Sequence, residues 1–362
     1  MKITDFNSLL GDNAPQAAPP PVAPNGRELQ ALLEPVSAEE FAQTYFSRKA
    51  LNVEGNAGKF SQIFGWERLK QALVRGQSIP DKRFNIMASY AGGEEAGSSK
   101  PMFEATLDRV VALLNDGATI CITNIHMADP LLARWAQAIR SQLNFTGTVG
   151  VNCYVSPDGA GLPMHYDKRV ATTLQIAGKK RWKFSTEAAL PWPGHNATYK
   201  DGQVESGGGE PGRPPGEMTF REVELSPGDL LCLPAGAWHS ARGIGHSMAL
   251  NLYFAPRNLF EQLAPLLLSF AASDGNWRGG PPATVENIDG KMPESVSTYL
   301  RDRLEEFHAK ALALLDDEDA MAEPWLTSLT QGPYTGWQPS AELTLPRAAA
   351  TDRFRVAPGS LR

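Results

Sequence analysis

The sequence predicts a mainly β protein with flanking helices, of the sandwich or jelly-roll type, from three observations. Between Thr148 and Phe254 the chain contains short apolar segments with strand character. Turns rich in Gly and Pro separate these segments. The segments before and after this region carry helical periodicity instead. Short strands between Gly/Pro turns are typical of sandwiches and jelly rolls, in which antiparallel strands enclose one core.

Length and composition agree with a globular protein and exclude two classes of partner. The chain has 362 residues, of which 42% are hydrophobic and 20% are charged, enough to form a sizeable core. The net charge is −6 and Lys and Arg form no long runs, so no nucleic-acid interface is predicted. The longest late apolar segment, residues 263–272, is too short to span a bilayer.

Four segments are predicted along the chain. Residues 1–30 are a flexible Pro/Ala-rich arm, 31–257 the domain that contains the β region, 258–332 a helical region and 333–362 a tail. The late helices carry long apolar stripes. Two arrangements stay open for them: they form a homodimer interface, or they pack on the chain's own β domain.

Helices are predicted on both sides of the β region. Ser37 and Glu40 have the spacing of a capping box, and Gly117 is placed to end a later helix. The predicted early helices are EEFAQTYF, GWERLKQALV, TLDRVVALLNDG and LLARWAQAIRSQL, and the late ones begin at NLFEQL and ESVSTY.

Six strands and one long loop are predicted in the β region. The strands are TVGVNCYVS, RVATTLQIAG, KKRWKFS, MTFREVELS, LLCLP and HSMALNLYF, with the second and third joined near Gly178. The stretch from Pro191 to Gly216 is dense in Gly and Pro and shows no strand pattern. Because it is longer than most connections, a functional loop or lid is predicted there.

His165-Tyr166-Asp167 is the strongest local signal for chemistry. On an extended segment, residues two apart point to the same side, so the imidazole and the carboxylate can converge on one ion. A second histidine from another strand would complete a 2-His-1-carboxylate triad, the set that holds Fe(II) with open positions for a co-substrate and O2. A surface His and Asp at a turn is the alternative reading of the same motif.

His239 is the best-placed second histidine, since it follows the strand and turn LSPGDLLCLPAGAW. His246 competes with it, being seven residues further on. His126 precedes the β region, His195 lies in the Gly/Pro-rich loop and His308 on a late helix.

Lys180 alternates with Trp182 and Phe184 on one strand face. A cation on an apolar face is costly unless an anion pairs with it, and a carboxylate of 2-oxoglutarate would be that anion. The alternative is a lysine whose amine reaches solvent. Further polar residues are candidates for binding co-substrate or substrate, or for satisfied core positions: Thr172, Asn251, Asn152 and Tyr154.

The segments MHYDKRVATTLQIAGKKRW, LSPGDLLCLPAGAWHS and MALNLYF resemble the cupin-like JmjC oxygenases, particularly the bacterial ribosomal-oxygenase-like branch. The resemblance covers roughly residues 37–258. It implies a double-stranded β-helix, Fe(II), 2-oxoglutarate and O2. It also implies that His165, Asp167 and His239 bind the iron and that Lys180 binds the distal carboxylate of 2-oxoglutarate.

The resemblance implies a hydroxylase acting on an amino-acid side chain of a peptide or protein. Two alternatives stay open: a small-molecule hydroxylase of a biosynthetic pathway, and a non-catalytic cupin-fold binding protein. The mildly acidic charge fits a basic peptide substrate, and equally fits simple solubility. Cys121, Cys153 and Cys232 lie in separate apolar runs, and the N-terminus shows no signal-peptide pattern, so a cytoplasmic location is expected.

Overall fold

The computed structural model describes residues 25–90, 102–285 and 290–330. These residues fall into two compact units, the first ending at Pro256 and the second beginning at Arg257. Most of the arm predicted over residues 1–30 and all of the tail predicted over 333–362 lie outside the described residues.

The first unit is built on antiparallel strands. They are β1 (Leu51–Val53), β2 (Asn85–Ser89), β3 (Phe103–Glu104), β4 (Thr119–Thr123), β5 (Thr148–Ser156), β6 (Gly161–Tyr166), β7 (Val170–Ser185), β8 (Ala197–Lys200), β9 (Gln203–Ser206), β10 (Phe220–Leu225), β11 (Leu230–Leu233) and β12 (His239–Ala255). The main order is β1-β11-β7-β12-β5-β4-β2-β3, with β10 paired to β7, β6 paired to both β12 and β8, and β9 paired to β8. The two long central strands therefore pair with different neighbours along their two halves.

The strands predicted separately around Gly178 are one continuous strand, β7, so that prediction was wrong. Gln175 pairs with Ala249 and Ala177 with Met248, which leaves Ile176 as an extra residue. Such a bulge bends a strand without ending it. The side-chain amide of Gln175 donates to the backbone carbonyls of Ala177 and Gly178 at 2.9 and 3.0 Å, which holds the bulge in place. Gly178 has φ +60°, and a side chain there would meet the backbone of β12.

The Gly/Pro-rich stretch from Pro191 to Gly216 contains a hairpin, which corrects the prediction that it has no strands. Strands β8 and β9 are joined at Asp201-Gly202, where both residues have positive φ. An Asp-Gly pair favours a tight hairpin turn. This pair does not stand out in a segment that is dominated by Gly and Pro. The hairpin adds to the sheet by pairing β8 with β6, with Thr198 opposite His165.

Helices cover one side of the first unit. They are α1 (Glu28–Leu33), α2 (Ala38–Glu40, continued by a π-helical turn to Tyr45), α3 (Trp66–Gly76), α4 (Val110–Asn115) and α5 (Pro130–Gln142). The four early helices predicted from periodicity are all present, although two of them include a non-α turn. The capping role predicted for Ser37 is seen, since its hydroxyl accepts from the backbone N–H of Glu40 at 3.0 Å.

The main core lies between these helices and the strands. Apolar side chains from α1, α3, α4 and α5 pack with residues such as Val151, Leu174 and Leu250 in one cluster. The aromatic rings of Phe46 and Phe254 meet edge to face at 5.1 Å between centroids. All three cysteines are buried free thiols, as their positions in apolar runs suggest.

The second unit consists of helices α6 (Leu259–Ser273), α7 (Gly275–Arg278), α8 (Glu294–Leu314) and α9 (Glu318–Thr330). A capping box starts α6, in which Asn258 and Glu261 exchange side-chain and backbone hydrogen bonds. Within the described ranges, no helix is both long enough and apolar enough to cross a membrane.

Asp129 connects two helices of the first unit and provides a test of the fold. Its buried carboxylate caps α5 by accepting from the N–H groups of Leu131 and Leu132. It also forms an ion pair with Arg68 of α3. Replacement of Asp129 by Ala leaves these donors unpaired, so we expect a loss of about 3–5 kcal/mol in the free energy of unfolding.

Urea unfolding followed by tryptophan fluorescence measures this loss. Asp129→Asn is the matched control, because it keeps an oxygen for the helix cap and loses only the charge. Asp129→Asn should therefore lower the free energy of unfolding clearly less than Asp129→Ala does. Equal and small losses for both variants, below about 1 kcal/mol, would contradict the structural role of the carboxylate.

Candidate metal centre and cavity

His165 and Asp167 lie at the end of β6 and share one side of the chain. Tyr166, between them, points the other way and is buried in a small cluster with Trp238. The two rings meet edge to face at 4.7 Å between centroids. Trp238 therefore packs in a core and does not stack on a ligand. The buried tyrosine anchors β6 so that the two flanking side chains face inward.

His239 is the first residue of β12, and its Cα is paired with that of His165. The two imidazole rings are 4.2 Å apart between centroids. One potential ligand atom each from His165, Asp167 and His239 all lie within 4.8 Å of one another. The structure thus brings together the three side chains that the sequence selected as ligands.

Backbone carbonyls orient both imidazoles. The Nδ1 atom of His165 lies 2.7 Å from the carbonyl oxygen of Pro163, and that of His239 lies 2.8 Å from that of Ala237. When each Nδ1–H donates to its carbonyl, each Nε2 keeps a lone pair for a cation. Burial, followed by the proximity of His165, lowers the pKa of His239 to about 4. The ring is therefore neutral at pH 7, as metal binding requires.

A cavity opens beside this cluster, inside the β structure. Its wall includes residues from β4, β5, β6, β7 and β12. The lining residues are Thr119, Tyr154, Ser156, Gly161, Leu162, His165, Asp167, Thr173, Lys180, Trp182, His239, Ala241, Ala249 and Asn251. The indole of Trp182 stacks against the imidazole of His239, with 5.9 Å between centroids.

Lys180 extends into this cavity and is only 4% exposed. No acidic group in the described part of the chain forms an ion pair with it. Its ammonium lies 5.6 Å from the centroid of the Tyr154 ring. Burial lowers the pKa of Lys180 to about 8, because the charged form is poorly solvated there. An anionic ligand would offset that cost.

Asn251 and Tyr154, two further predicted site residues, also line the cavity. The Oδ1 atom of Asn251 is buried and has no hydrogen-bond partner among the described residues. Burial raises the pKa of the Tyr154 hydroxyl, which forms a hydrogen bond with the Cys121 thiol. The side chain of Asn251 thus keeps an unused acceptor facing a polar site.

Thr172 and Asn152 were predicted at the site, and the structure does not place them in the cavity wall. The hydroxyl of Thr172 donates to the sulfur of Cys232 at 3.2 Å, on the core side of β7. Thr173 lines the cavity instead, because the extra residue at the bulge reverses the alternation before Lys180. The side chain of Asn152 accepts from the backbone N–H of Asn124 at 3.0 Å.

Sequence reasoning also missed Thr119 and Ser156, which lie in the cavity wall with a hydroxyl–hydroxyl distance of 3.1 Å. Both stand on apolar strands and carry no motif, so only the pairing of β4 with β5 reveals them. His246, the competing histidine, is not part of the cluster and lies beside Gly178. His126 is buried, and its Nδ1 accepts from the N–H of Val151 at 3.0 Å.

Comparison with known proteins agrees with this architecture. Residues 125–261 match the model of the JmjC domain. YxbC of Bacillus subtilis is 24% identical over 259 residues, which cover 69% of this chain and 77% of YxbC. The bifunctional lysine-specific demethylase and histidyl-hydroxylase NO66 of Drosophila willistoni is 28% identical over 253 residues. This match covers 68% of the chain but only 31% of NO66, so the chain spans about a third of that relative.

Among solved structures, the ribosomal oxygenase YcfD of Escherichia coli, in complex with cobalt and 2-oxoglutarate, shares the fold. The TM-score is 0.53 at 14% identity, over 83% of this chain and 72% of YcfD. The family match over residues 125–261 and the likeness to YcfD both indicate a JmjC/cupin fold with a double-stranded β-helix core. The predictions of family and fold are confirmed.

The cluster predicts a metal-binding experiment. Replacement of His239 by Ala should weaken Mn(II) binding at least tenfold, because one imidazole and one carboxylate remain. Electron paramagnetic resonance of unbound Mn(II) measures the affinity. His246→Ala is the control and should bind Mn(II) like the parent protein. A similar loss in both variants would contradict the assignment.

Proposed function

We propose that this chain is an Fe(II)/2-oxoglutarate-dependent oxygenase that hydroxylates an amino-acid side chain in a peptide or protein. The observation that carries the proposal is a two-histidine, one-carboxylate cluster opening onto a cavity that contains a buried cation without an acidic partner among the described residues. The cluster fits a metal, and the cation fits an anionic co-substrate.

The donor set fits Fe(II). His165, Asp167 and His239 offer two imidazole nitrogens and one carboxylate oxygen within 4.8 Å of one another. Three ligands on one face leave the other positions open, as oxygenases of this class require. The backbone carbonyls behind both imidazoles hold the rings in orientation, a contribution typically worth 10- to 100-fold in metal affinity.

The far end of the cavity fits the distal carboxylate of 2-oxoglutarate. Lys180 provides the positive charge, and the hydroxyls of Thr119 and Ser156 line the same cavity. The unused Oδ1 of Asn251 marks a further polar position. With Fe(II) held by these residues, O2 would be the oxidant: oxidative decarboxylation of 2-oxoglutarate to succinate and CO2 would take up one oxygen atom, and the other would be available for C–H hydroxylation.

The chain's own residues orient the reactants and exclude water. Trp182 and Leu162 form apolar parts of the wall, and Ala241 and Ala249 leave room between the strands. Lys180 anchors one end of the co-substrate, so that its other end is directed toward the histidines. A dry, preorganised site of this kind limits side reactions of a strong oxidant.

The relatives support a protein substrate. NO66 is named as a lysine demethylase and histidyl-hydroxylase, and YcfD as a ribosomal oxygenase. The free buried thiols support a cytoplasmic location. A homodimer through the late helices is supported by three exposed apolar residues of α6, namely Leu259, Phe260 and Leu268.

Turnover with isotope-labelled 2-oxoglutarate tests the proposal. Purified protein with Fe(II), ascorbate and peptide pools should release labelled succinate and add 16 Da to a peptide, whereas metabolite pools test the small-molecule alternative. Asp167→Ala should reduce succinate release at least a hundredfold, because two imidazoles hold Fe(II) poorly. Exposed Asp108→Ala is the matched control. Full activity of Asp167→Ala would refute the ligand assignment, and a parent protein without turnover would support a non-catalytic binding protein.

Replacement of Lys180 by Met should have opposite effects on binding and on stability. The Kd for 2-oxoglutarate should rise about 10- to 100-fold, since a charged hydrogen bond contributes roughly 1.5–3 kcal/mol. Without ligand, the variant should be more stable by up to about 3 kcal/mol, because a buried ammonium is removed. Calorimetry and urea unfolding give the two quantities. Unchanged affinity would mean that another residue binds the carboxylate.

The lowered pKa of Lys180 predicts a pH dependence. Below pH 8 the ammonium is protonated in the ligand-free protein, and the Kd for N-oxalylglycine should be constant. Above pH 8, binding must restore the proton, so the Kd should rise toward about tenfold per pH unit. Calorimetry in the presence of Mn(II) measures this, and Lys180→Met should show no such slope. Equal slopes in both proteins would contradict this prediction.

A further inference from the structure

A second cation lies against Tyr253, a residue of β12. Ala249 and Asn251 of β12 line the cavity, and Tyr253 follows on the same strand face. The guanidinium carbon of Arg169 lies 3.9 Å from the centroid of the Tyr253 ring. Arg169 is also only two residues after Asp167, the carboxylate of the metal cluster. The cation therefore lies close in the chain to the candidate metal ligands and against a ring that continues a cavity-lining strand face.

A chain of hydrogen bonds holds the Tyr253 ring in place. Its hydroxyl donates to Oδ1 of Asn124 at 2.5 Å. The side-chain amide of Asn124 donates to the carbonyl of Arg83 at 2.7 Å, and its backbone N–H donates to Asn152 at 3.0 Å. Asn124 itself has a left-handed backbone with φ +51°. Asn152, which the sequence suggested as a ligand-binding residue, instead accepts a hydrogen bond from Asn124 and so helps to hold Tyr253 in place.

Arg169 has no ion-pair partner among the acidic groups that the structure describes, Asp167 included. It is half-buried, so water does not fully surround it. The nearby cation Arg83 differs, because Asp81 neutralises it in a direct ion pair. One face of the Arg169 guanidinium lies against Tyr253, which leaves its in-plane N–H donors available. A planar fork of donors is suited to bind a carboxylate through two parallel hydrogen bonds.

We propose that Arg169, held on Tyr253, recognises a carboxylate of an Asp or Glu side chain that neighbours the hydroxylated residue of a peptide substrate. This inference rests on the proposed oxygenase function and adds the class of sequence that the site selects. The same cation repels a lysine or arginine in that position. The chain thus selects acidic flanking sequence beside its metal centre.

Binding of two fluorescein-labelled peptide pools tests the inference. Both pools are dodecapeptides with all twenty residues at the central position; one is enriched in Asp and Glu around it and the other in Lys and Arg. The protein is loaded with Mn(II) and N-oxalylglycine, and fluorescence anisotropy gives the affinity. The parent protein should bind the acidic pool at least tenfold more tightly than the basic pool.

Charge reversal at Arg169 should remove or invert that preference, and Arg169→Gln should remove it without inversion. Lys168→Glu is the matched control, because it makes the same charge change at the exposed neighbouring residue, and it should keep the preference. Tyr253→Phe keeps the ring and should keep most of the preference, whereas Tyr253→Leu should lose most of it. An equal affinity for both pools, no binding of either pool, or a preference unchanged by Arg169→Glu overturns the inference.

Two further measurements identify the source of the carboxylate and separate this inference from the oxygenase proposal. N-acetylglutamate is tested as a competitor of the acidic pool. If it displaces the pool at an equal concentration, the site binds a small acid and the peptide assignment is overturned. Displacement by peptides alone supports the peptide assignment. Mn(II) and N-oxalylglycine binding are measured on each protein without peptide. Their loss in the parent protein contradicts the oxygenase proposal, whereas their retention with no peptide preference contradicts the role of Arg169 alone.

Discussion

The antiparallel pairing of β7 with β12 is the interaction on which the rest of the structure depends. These strands of 16 and 17 residues contribute side chains to both the core and the cavity. His239 begins one of them and Lys180 lies near the middle of the other. The bulge at Ile176 bends the pair, so that one half backs onto the helices and the other half approaches β6 and β10. Because of that bend, Thr173, Ala249 and Asn251 on one half line the same cavity as His239 and Lys180 on the other half.

The cavity contains polar groups that the surrounding protein leaves uncompensated. Lys180 is buried without an acidic partner in the described ranges, and the Oδ1 of Asn251 has no hydrogen bond there. Each of these groups lowers the stability of the ligand-free protein. Such costs are common at functional sites, where a ligand supplies the missing partners. The contrast with Asp129 is informative, because that buried carboxylate is fully paired and serves the fold alone.

The inferred Arg169 subsite extends this electrostatic pattern toward the substrate side. Lys180 at the inner end fits a small dicarboxylate, and Arg169 near the metal fits a carboxylate on a larger molecule. Arg169 directly precedes β7 and Lys180 lies on it, on the other side of the bulge. The neighbouring cluster of His165, Asp167 and His239 contributes two imidazoles and one carboxyl group. A metal with charge +2 would make the whole region strongly attractive to anions.

Local patterns in the sequence determined the class of fold, the helices and the candidate metal ligands. The His165–Asp167 spacing has a direct meaning on any strand, because alternate side chains share a face. Other features depended on contacts between distant segments. The choice of Thr173 over Thr172 follows from the bulge on β7, and the positions of Thr119 and Ser156 follow from the pairing of β4 with β5. The support of Tyr253 by Asn124 joins residues 129 positions apart. The sequence by itself determined which residue types and short-range periodicities were available, whereas only the tertiary structure decided which strand faces meet, because register and bulges are set by long-range packing.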